Sequence, residues 1–332
     1  MNRRSFFKCV TAAAGTAVWS SALAGETAPA PHAAPAKPTP PGNPFQAEGN
    51  WYKAALHVHT TTSDGDVDVP TRLKQYRDLG YHVVAVTDHW KTNDLSGFSD
   101  GAFLAINGME AHPRTGTGAP AHHFVCLDLP HPFELDRAQK AQDLVDKVRE
   151  AGGKVIYAHP YWTAHTLDEM RDIVGFIGIE VYNAVCDLEW RKGYGHVHAD
   201  QAFTKLGLFA LTAVDDVHRS AQINRGWTMV RARELTKNAV MAAIAAGHVY
   251  ASTGPAITDF RIDQGAALVA CSPAAEIRFF FNGAAGGRFL AAKPDQPLTA
   301  GRWTIAKGIK WVRAEVVDAE GKSAWTNPIA VD

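Results

Sequence analysis

The sequence contains little cysteine, with four residues in a chain of 332. Cys126, Cys186 and Cys271 lie far apart and show none of the close spacings of a disulfide-stapled domain or a cysteine-rich zinc site. We therefore expect buried free thiols. A disulfide framework is not indicated.

The chain also lacks an excess of charge of one sign and a long hydrophobic run. Its 33 basic and 34 acidic residues give a formal net charge of −1, and the basic residues do not run together. This balance argues against a nucleic-acid partner, which calls for a concentrated basic surface. The apolar stretch Val10–Trp19 is too short to cross about 30 Å of hydrocarbon, so no stable membrane anchor is expected.

The N-terminus has the pattern of an export signal. Residues 2–8 read NRRSFFK, a twin-arginine signature, and Ala22 and Ala24 form a small-x-small cleavage site. We predict a signal peptide over residues 1–24, with the twin-arginine export machinery as a partner and the periplasm as the destination. Residues 25–50 are dominated by Pro and Ala, and are predicted to be a linker.

Short β-branched runs alternate with helical stretches between residues 51 and 255. Helices are predicted over Thr71–Leu79 and Ala138–Ala151, and a further one begins at Thr166 with Glu169 completing a capping box. This alternation predicts a parallel α/β barrel or sheet. The predicted strands are Lys53–His57, Tyr81–Val86, Phe103–Met109, His123–Leu129, Lys154–Ala158, Phe176–Tyr182 and Leu208–Val214.

Helical periodicity is absent after Gly254-Pro255. Residues 256–332 are predicted to form a small antiparallel β-sandwich domain with tight turns such as Asn282-Gly283. Its predicted strands are Ile257–Ile262, Glu276–Phe281, Trp303–Ala306, Trp311–Val317 and Ala324–Val331.

Metal-ligand residue types follow the apolar runs of the predicted barrel. Because parallel strands gather their ends into one cleft, such side chains can converge although they are distant in sequence. Imidazoles and carboxylates are ligands for first-row transition metals, and this many can hold two or three ions. The nine candidates are His57, His59, Asp64, His89, Glu110, His123, His159, Asp216 and His218.

The spacing of these residues along the strands indicates which of them can bind metal and which cannot. His57 and His59 are two apart on a strand and share a face, whereas Asp88 faces away from His89 and is better suited to orient a ligand than to bind metal. Glu110 is our choice for a bridging group, because a carboxylate can contact two cations.

Two ligand assignments have competitors in the adjacent residue. His122 and His123 point to opposite faces of a strand, and His123 is favoured as the ligand. Asp215 competes with Asp216.

These motifs resemble those of the polymerase-and-histidinol-phosphatase (PHP) superfamily. The resemblance covers about Trp51 to Pro255, and softer motifs, including residues 180–183 (EVYN) and 250–255 (YASTGP), are similar to an exported, carbaryl-hydrolase-like branch. It implies a distorted seven-stranded (β/α) barrel that binds two or three Mn, Zn or Fe ions.

The resemblance also implies a ligand set for each ion. The first ion would take His57, His59, Glu110 and Asp216. The second would take Glu110, His123 and His159, and the third would take Asp64, His89 and His218.

The reaction expected from such a centre is hydrolysis of a small-molecule ester by a metal-bridging hydroxide. We predict a phosphoesterase with Glu110, Asp216, His218 and Arg219 as catalytic residues. A carboxylester or carbamate hydrolase with the same centre is the alternative, and a non-catalytic metal-binding module is a second one. A phosphatase would require two or more cations to converge on the cleft, from among Lys91, Arg114, Arg219 and Arg225.

Overall fold

The computed structural model describes residues 38–113, 121–284 and 286–331. The predicted signal peptide, the first half of the predicted linker (residues 25–37) and Arg114 lie outside these ranges. Within them, no helix is long and apolar enough to span a membrane.

Seven strands, β1–β7, form the barrel that carries the candidate ligands. They lie side by side in sequence order, and β1–β2–β3 and β5–β6–β7 pair in parallel. The predicted α/β fold class, a barrel followed by an antiparallel β region, is confirmed. The barrel strands are β1 (Asn50–Ala55), β2 (Val83–Val86), β3 (Leu104–Ala111), β4 (Phe124–Leu127), β5 (Lys154–Tyr157), β6 (Gly178–Asn183) and β7 (Ala210–Val214).

Strand β4 differs from the predicted all-parallel arrangement. It is antiparallel to both β3 and β5. Residues 112–123 connect β3 to β4; a crossover between parallel strands usually includes a helix, and the described part of this connection contains none. Because β4 is reversed, its first residue lies at the end of the barrel where the parallel strands finish. His123, directly before β4, thereby joins the ligands that follow the other strands.

The barrel closes between the segments that follow β1 and β7. Val58 and Val217 form a parallel bridge, and the His59 N–H donates to the Val217 carbonyl over 3.1 Å. Alternate residues of the strands pack on opposite sides, as the two-residue period of a strand requires. Ala85 and Ile106 belong to one apolar cluster, while Val84 belongs to another that includes residues of the first helix.

Six α-helices accompany the strands within the described ranges. The first begins at Val69 rather than at the predicted Thr71, because Asp68 caps it and Pro70 suits its first turn. The predicted capping box of Thr166 and Glu169 is confirmed. The helices are α1 (Val69–Asp78), α2 (Ala141–Glu150), α3 (Leu167–Arg171), α4 (Ala184–Trp190), α5 (His196–Lys205) and α6 (Lys237–Ala245), with a 3₁₀ turn over Ser220–Gln222.

The remaining strands complete an antiparallel region. The sheet of the barrel continues from β1 through β8 and β9 into β16, β15, β12 and β13, with β17 also on β15, while β10, β11 and β14 form a second sheet. These strands are β8 (Trp227–Ala232), β9 (Val249–Ser252), β10 (Ile257–Asp263), β11 (Ala266–Ala274), β12 (Glu276–Phe281), β13 (Gly286–Leu290), β14 (Leu298–Thr304), β15 (Trp311–Val317), β16 (Ser323–Trp325) and β17 (Ile329–Ala330).

Three features of this region depart from the sequence predictions. The predicted strand Ala324–Val331 is divided into β16 and β17, because Pro328 between them has no N–H to donate. The predicted strand Trp303–Ala306 begins earlier, at Leu298. Strands β8, β9, β11 and β13 were not predicted. The described residues belong to one compact unit, and the domain boundary at residue 255 stays a prediction.

Candidate metal centre

The barrel brings all nine candidate ligands to one end. Each lies at a strand end or in the loop next to it, where the backbone is free of the regular hydrogen bonds between strands. An isolated bridge between His89 and Glu110 extends the pairing of β2 and β3 to this end.

Four buried side chains form the first group, comprising His57, His59, Glu110 and Asp216. The Nε2 atoms of His57 and His59 lie 3.2 and 3.0 Å from Asp216 Oδ1, and 3.3 and 3.4 Å from Glu110 Oε2. Ligands at about 2.1 Å from one tetrahedral ion are separated by about 3.4 Å. The four atoms therefore have the spacing of a coordination shell.

Glu110 also takes part in a second group. Its other oxygen, Oε1, lies 2.7 Å from His123 Nδ1 and 3.1 Å from His159 Nε2. Glu110 is buried between the two groups and presents one oxygen to each. This is the geometry of a carboxylate that bridges two cations.

A third group lies toward the cleft and comprises His59, Asp64, His89 and His218. Asp64 Oδ2 is 3.4 Å from His218 Nε2 and 3.6 Å from His89 Nε2. Asp64 is the most exposed ligand candidate, so this group is the most open to solvent. The structure places His59 near both the first and the third groups.

Glu180 and Asn183 hold the buried side of the first group. Glu180 Oε1 is 2.8 Å from His57 Nδ1, which leaves His57 Nε2 directed at Glu110 and Asp216. Asn183 donates to Glu180 Oε2 over 3.0 Å and to Asp216 Oδ2 over 3.1 Å, so the free oxygen of Asp216 faces the histidines. Partners of this kind fix the ring orientation of metal ligands.

Several buried polar atoms of the centre have no hydrogen-bond partner among the described residues. Such atoms are rare in folded proteins, because each carries a desolvation penalty of about 1–3 kcal/mol. Their convergence on common points is explained by cations at those points, and the imidazole and carboxylate donors suit Mn, Zn or Fe. The atoms are His57 Nε2, His59 Nε2, His89 Nδ1, Glu110 Oε2 and Asp216 Oδ1.

The electrostatics favour ionised carboxylates in the centre. Burial alone would raise the pKa of Glu110, but the neighbouring His57 and His89 hold it well below its usual range. Burial likewise opposes ionisation of Asp216, and His57 and His59 outweigh it, so its pKa is also lowered. The carboxylates are thus negatively charged near neutral pH, as metal ligands must be.

Unusual backbone conformations occur next to the cluster. Asp216 and His159 have φ values of 54° and 23°, and Trp90, after His89, has a φ of 59°. Non-glycine residues in this region carry strain and concentrate at functional sites. At Asp216 this turn directs the carboxylate toward His57 and His59.

The geometry shows which residue of each competing pair lies among the candidate ligands. Asp215 accepts the backbone N–H groups of residues 224–226 and the Tyr76 hydroxyl, so its carboxylate is occupied outside the three groups. His122 lies 2.8 Å from the Tyr157 hydroxyl. Asp216 and His123 are the members of each pair that lie in the cluster.

Asp88 organises the loop after β1. It accepts the backbone N–H and the hydroxyl of Thr60, the hydroxyl of Ser63 and the amide of Asn93. These bonds hold the segment that joins His59 to Asp64. Asp88 therefore acts through the loop and not directly on a ligand ring.

A cleft of about 340 Å³ opens onto the second and third groups. Of the predicted cations, Arg219 lines it; Lys91 instead donates to the Thr62 carbonyl, and Arg225 donates to the Ala221 carbonyl. The lining comprises Asp64, His89, Glu110, His123, His159, Trp162, Val185, Cys186, Glu189, Trp190, Asp216, His218 and Arg219.

Helix α4 supplies the lining residues that the sequence predictions missed. Val185, Cys186, Glu189 and Trp190 all belong to it. The signal that was available is the N-cap residue Asn183, whose side chain accepts from the Cys186 N–H. The helix has only seven residues, too few for a hydrophobic period to be recognised.

No protein-family model and no curated protein matches the chain. Solved structures similar to it include a two-domain protein containing a predicted PHP-like metal-dependent phosphoesterase from Bacteroides vulgatus. The identity is 16%, the TM-score is 0.49, and 89% of this chain and 99% of that chain are covered.

Two further similar structures are a putative metal-dependent phosphoesterase from Bifidobacterium adolescentis and a lesion-specific endonuclease from Pyrococcus furiosus. The former has 16% identity, a TM-score of 0.37 and coverage of 58% of this chain and 96% of that chain. The latter has 12% identity, a TM-score of 0.41 and coverage of 59% and 56%.

The first of these descriptions names the superfamily that the motifs resemble, and the exported branch stays a prediction. With every TM-score below 0.5, the assignment of fold and site rests on the strands and contacts described above.

Proposed function

We propose that this protein is a metal-dependent hydrolase that cleaves phosphoesters, with two or three Mn, Zn or Fe ions in the three groups. The observation that carries the proposal is the split carboxylate of Glu110, which offers Oε2 to His57 and His59 and Oε1 to His123 and His159. When bound, such ions would activate water for attack and neutralise charge on the substrate.

Four residues of the chain would position the ligands and the substrate. Glu110 would hold the first two groups at a fixed separation. Glu180 would keep His57 in the tautomer whose Nε2 is free to bind, and Asn183 would orient Asp216. Arg219, at the mouth of the cleft, would pair with an anionic oxygen of the phosphoester.

A carboxylester or carbamate hydrolase is the second candidate, and the lining of the cleft favours it in one respect. Among the described lining residues Arg219 is the only Lys or Arg, and it lies with the apolar Val185, Trp162 and Trp190. A phosphomonoester dianion would be better served by two cations. A substrate with one negative charge or none fits this lining more easily.

The test is an assay panel on protein stripped with a chelator and reloaded with Mn, Zn or Fe. We expect turnover of aryl phosphates that disappears on stripping and returns on reloading. Turnover of aryl carboxylates or carbamates alone would transfer the assignment to the second candidate. Absence of any turnover at two or more metal equivalents per chain would indicate a non-catalytic metal-binding module.

We also propose that the protein is exported to the periplasm by the twin-arginine route, on the strength of Arg3-Arg4 and the cleavage site at residues 22–24. The test is fractionation of cells that express either the unaltered chain or the double variant Arg3→Lys, Arg4→Lys. The double variant keeps the positive charge of the segment, so it isolates recognition of the arginine pair. It should abolish the periplasmic, processed form.

A further inference from the structure

Exposed large apolar side chains are concentrated in one segment of the described chain, residues 161–197. Seven large apolar residues of the described chain are exposed, and five of them lie between residues 161 and 197. Single exposed apolar residues are ordinary, and the one of interest is the one that lines a cleft, since binding sites are concave and largely apolar. These five are Tyr161, Leu188, Trp190, Tyr194 and Val197.

Trp162 connects Trp190, one of these five, to the metal centre. Its ring meets the His123 ring edge-on, with centroids 5.5 Å apart at 81°, and the His159 ring in the same way, at 5.2 Å and 88°. Trp190 lies 5.6 Å from Trp162, and both indoles line the cleft. The two rings thus form one wall that runs from the second group of ligands to solvent.

The outer part of this wall is held in place although it is 48% exposed. Trp190 is the last residue of α4, and Arg191 and Lys192 close the helix by donating to the carbonyls of Asp187 and Cys186. At the other end, the Asn183 cap contacts Asp216. The position of Trp190 is therefore tied to the metal centre through one short helix.

We propose that Trp162 and Trp190 bind the aromatic group of an aryl ester, which makes aryl esters the substrate class of this centre. This inference rests on the hydrolase function proposed above. The cleft of about 340 Å³ accommodates one aromatic ring system together with the ester group. Water adds to the phosphorus or carbonyl carbon, the bond to the aryl oxygen breaks, and the oxygen leaves with a proton as a phenol.

The kinetic test compares phenyl phosphate with ethyl phosphate on metal-loaded protein. The variants are Trp190→Ala, Trp190→Phe and, as a matched control, Leu188→Ala, which truncates an equally exposed residue of the same helix that does not line the cleft. Trp190→Ala should lower kcat/KM for the phenyl ester about 5- to 10-fold, the range of an aromatic contact, and change the ethyl ester less than about twofold. Trp190→Phe should retain most of the preference, and Leu188→Ala all of it. Equal losses for both esters in Trp190→Ala would overturn the proposal.

A binding test separates failure of the aromatic site from failure of the hydrolase function. Calorimetric titration of the metal-loaded protein with phenylphosphonate and with methylphosphonate requires no turnover. Tighter binding of phenylphosphonate that is lost in Trp190→Ala supports the aromatic site even if no ester is cleaved. Equal affinity for the two phosphonates would overturn it, whatever the protein hydrolyses.

Discussion

At the scale of single residues, Glu110 decides whether the ligands form one centre or separate pairs. It lies on β3 and is the only described residue whose two carboxylate oxygens belong to two different groups. Its pKa is held low by the surrounding histidines, so the carboxylate is available as an anion. Removal of its charge should therefore affect both groups at once.

We expect Glu110→Gln to lose metal from the first two groups and to lower kcat by at least about 100-fold, because a neutral amide cannot bridge two cations. Elemental analysis and turnover measured on the same preparation check this. Glu189→Gln, which changes a cleft carboxylate outside the three groups, is the control and should keep its metal content. Full metal occupancy in Glu110→Gln would contradict the bridging role.

His218 gives the metal-free protein a defined pH dependence. Burial lowers its pKa, but the hydrogen bond to Asp64 and the charges of Asp216 and Asp64 outweigh burial and raise it to about 9. The stability that results is fully present below the unfolded value of 6.5 and is lost as the pH rises through about 9.

The Tm of chelator-treated protein should therefore fall between about pH 7 and about pH 10, and it should fall less in His218→Gln. Metal-loaded protein should show a smaller decline, because the ion replaces the proton. Scanning calorimetry at several pH values measures all three. An identical decline in His218→Gln and in the unaltered protein would rule out His218 as the source.

The nine candidate ligands could be chosen from the sequence, whereas the contacts between them could not. The order of motifs indicated the nine candidates, and the structure gathers them. The sequence could not decide whether Asp215 or Asp216 is the ligand. That choice depends on the backbone N–H groups of residues 224–226, which fold back and donate to Asp215. Such a loop conformation has no local sequence pattern.

At the scale of elements, strands were predicted well where an apolar run is bounded by turn residues. Glu276–Phe281 and Trp311–Val317 have the predicted bounds. Helix α4 was not predicted because it is too short to show a hydrophobic period of 3.6 residues. The reversal of β4 was not predicted because the orientation of a strand depends on its connections. The misses matter for function, since α4 and the start of β4 both border the cleft.

The N-terminus of α3 offers a test of local stability. Thr166 accepts from the Asp168 N–H, and Glu169 accepts from the Thr166 N–H over 2.7 Å. Thr166→Ala should lower the free energy of unfolding by about 1 kcal/mol, and Thr166→Ser should leave it nearly unchanged. Chemical denaturation of the two variants measures the difference; equal destabilisation by both would mean that the methyl group matters more than the cap.

At the scale of the whole molecule, the antiparallel region is joined to the barrel by backbone pairing and by an ion pair between a buried Arg and a partly exposed Asp. Strand β16 pairs with β9, and Arg313 on β15 donates to both oxygens of Asp200 on α5 over 2.6 and 2.7 Å. Arg313 is fully buried and lies over the Phe280 ring. These links indicate that residues 38–331 unfold together.

We therefore expect a single calorimetric transition whose van't Hoff and calorimetric enthalpies agree. Arg313→Leu should destabilise this transition by about 2 kcal/mol, because it removes two hydrogen bonds to the partly exposed Asp200 carboxylate. The control Arg261→Leu removes an ion pair with Asp259 in which both residues are partly exposed, and should cost less than about 1 kcal/mol. Two separate transitions would show that the antiparallel region folds as an independent domain.

The reversed direction of β4 affects which parts of the chain can supply ligands to the cleft. A parallel barrel offers only strand ends to its cleft, whereas here one strand offers its beginning, so His123 enters from a connection of opposite direction. The His123 carbonyl accepts from the Ala158 N–H over 3.0 Å, so this ligand is held by pairing with the segment that follows β5. A side chain that precedes a reversed strand thus reaches the same end of the barrel as those that follow parallel strands, so ligands in this fold can come from chain segments of either direction.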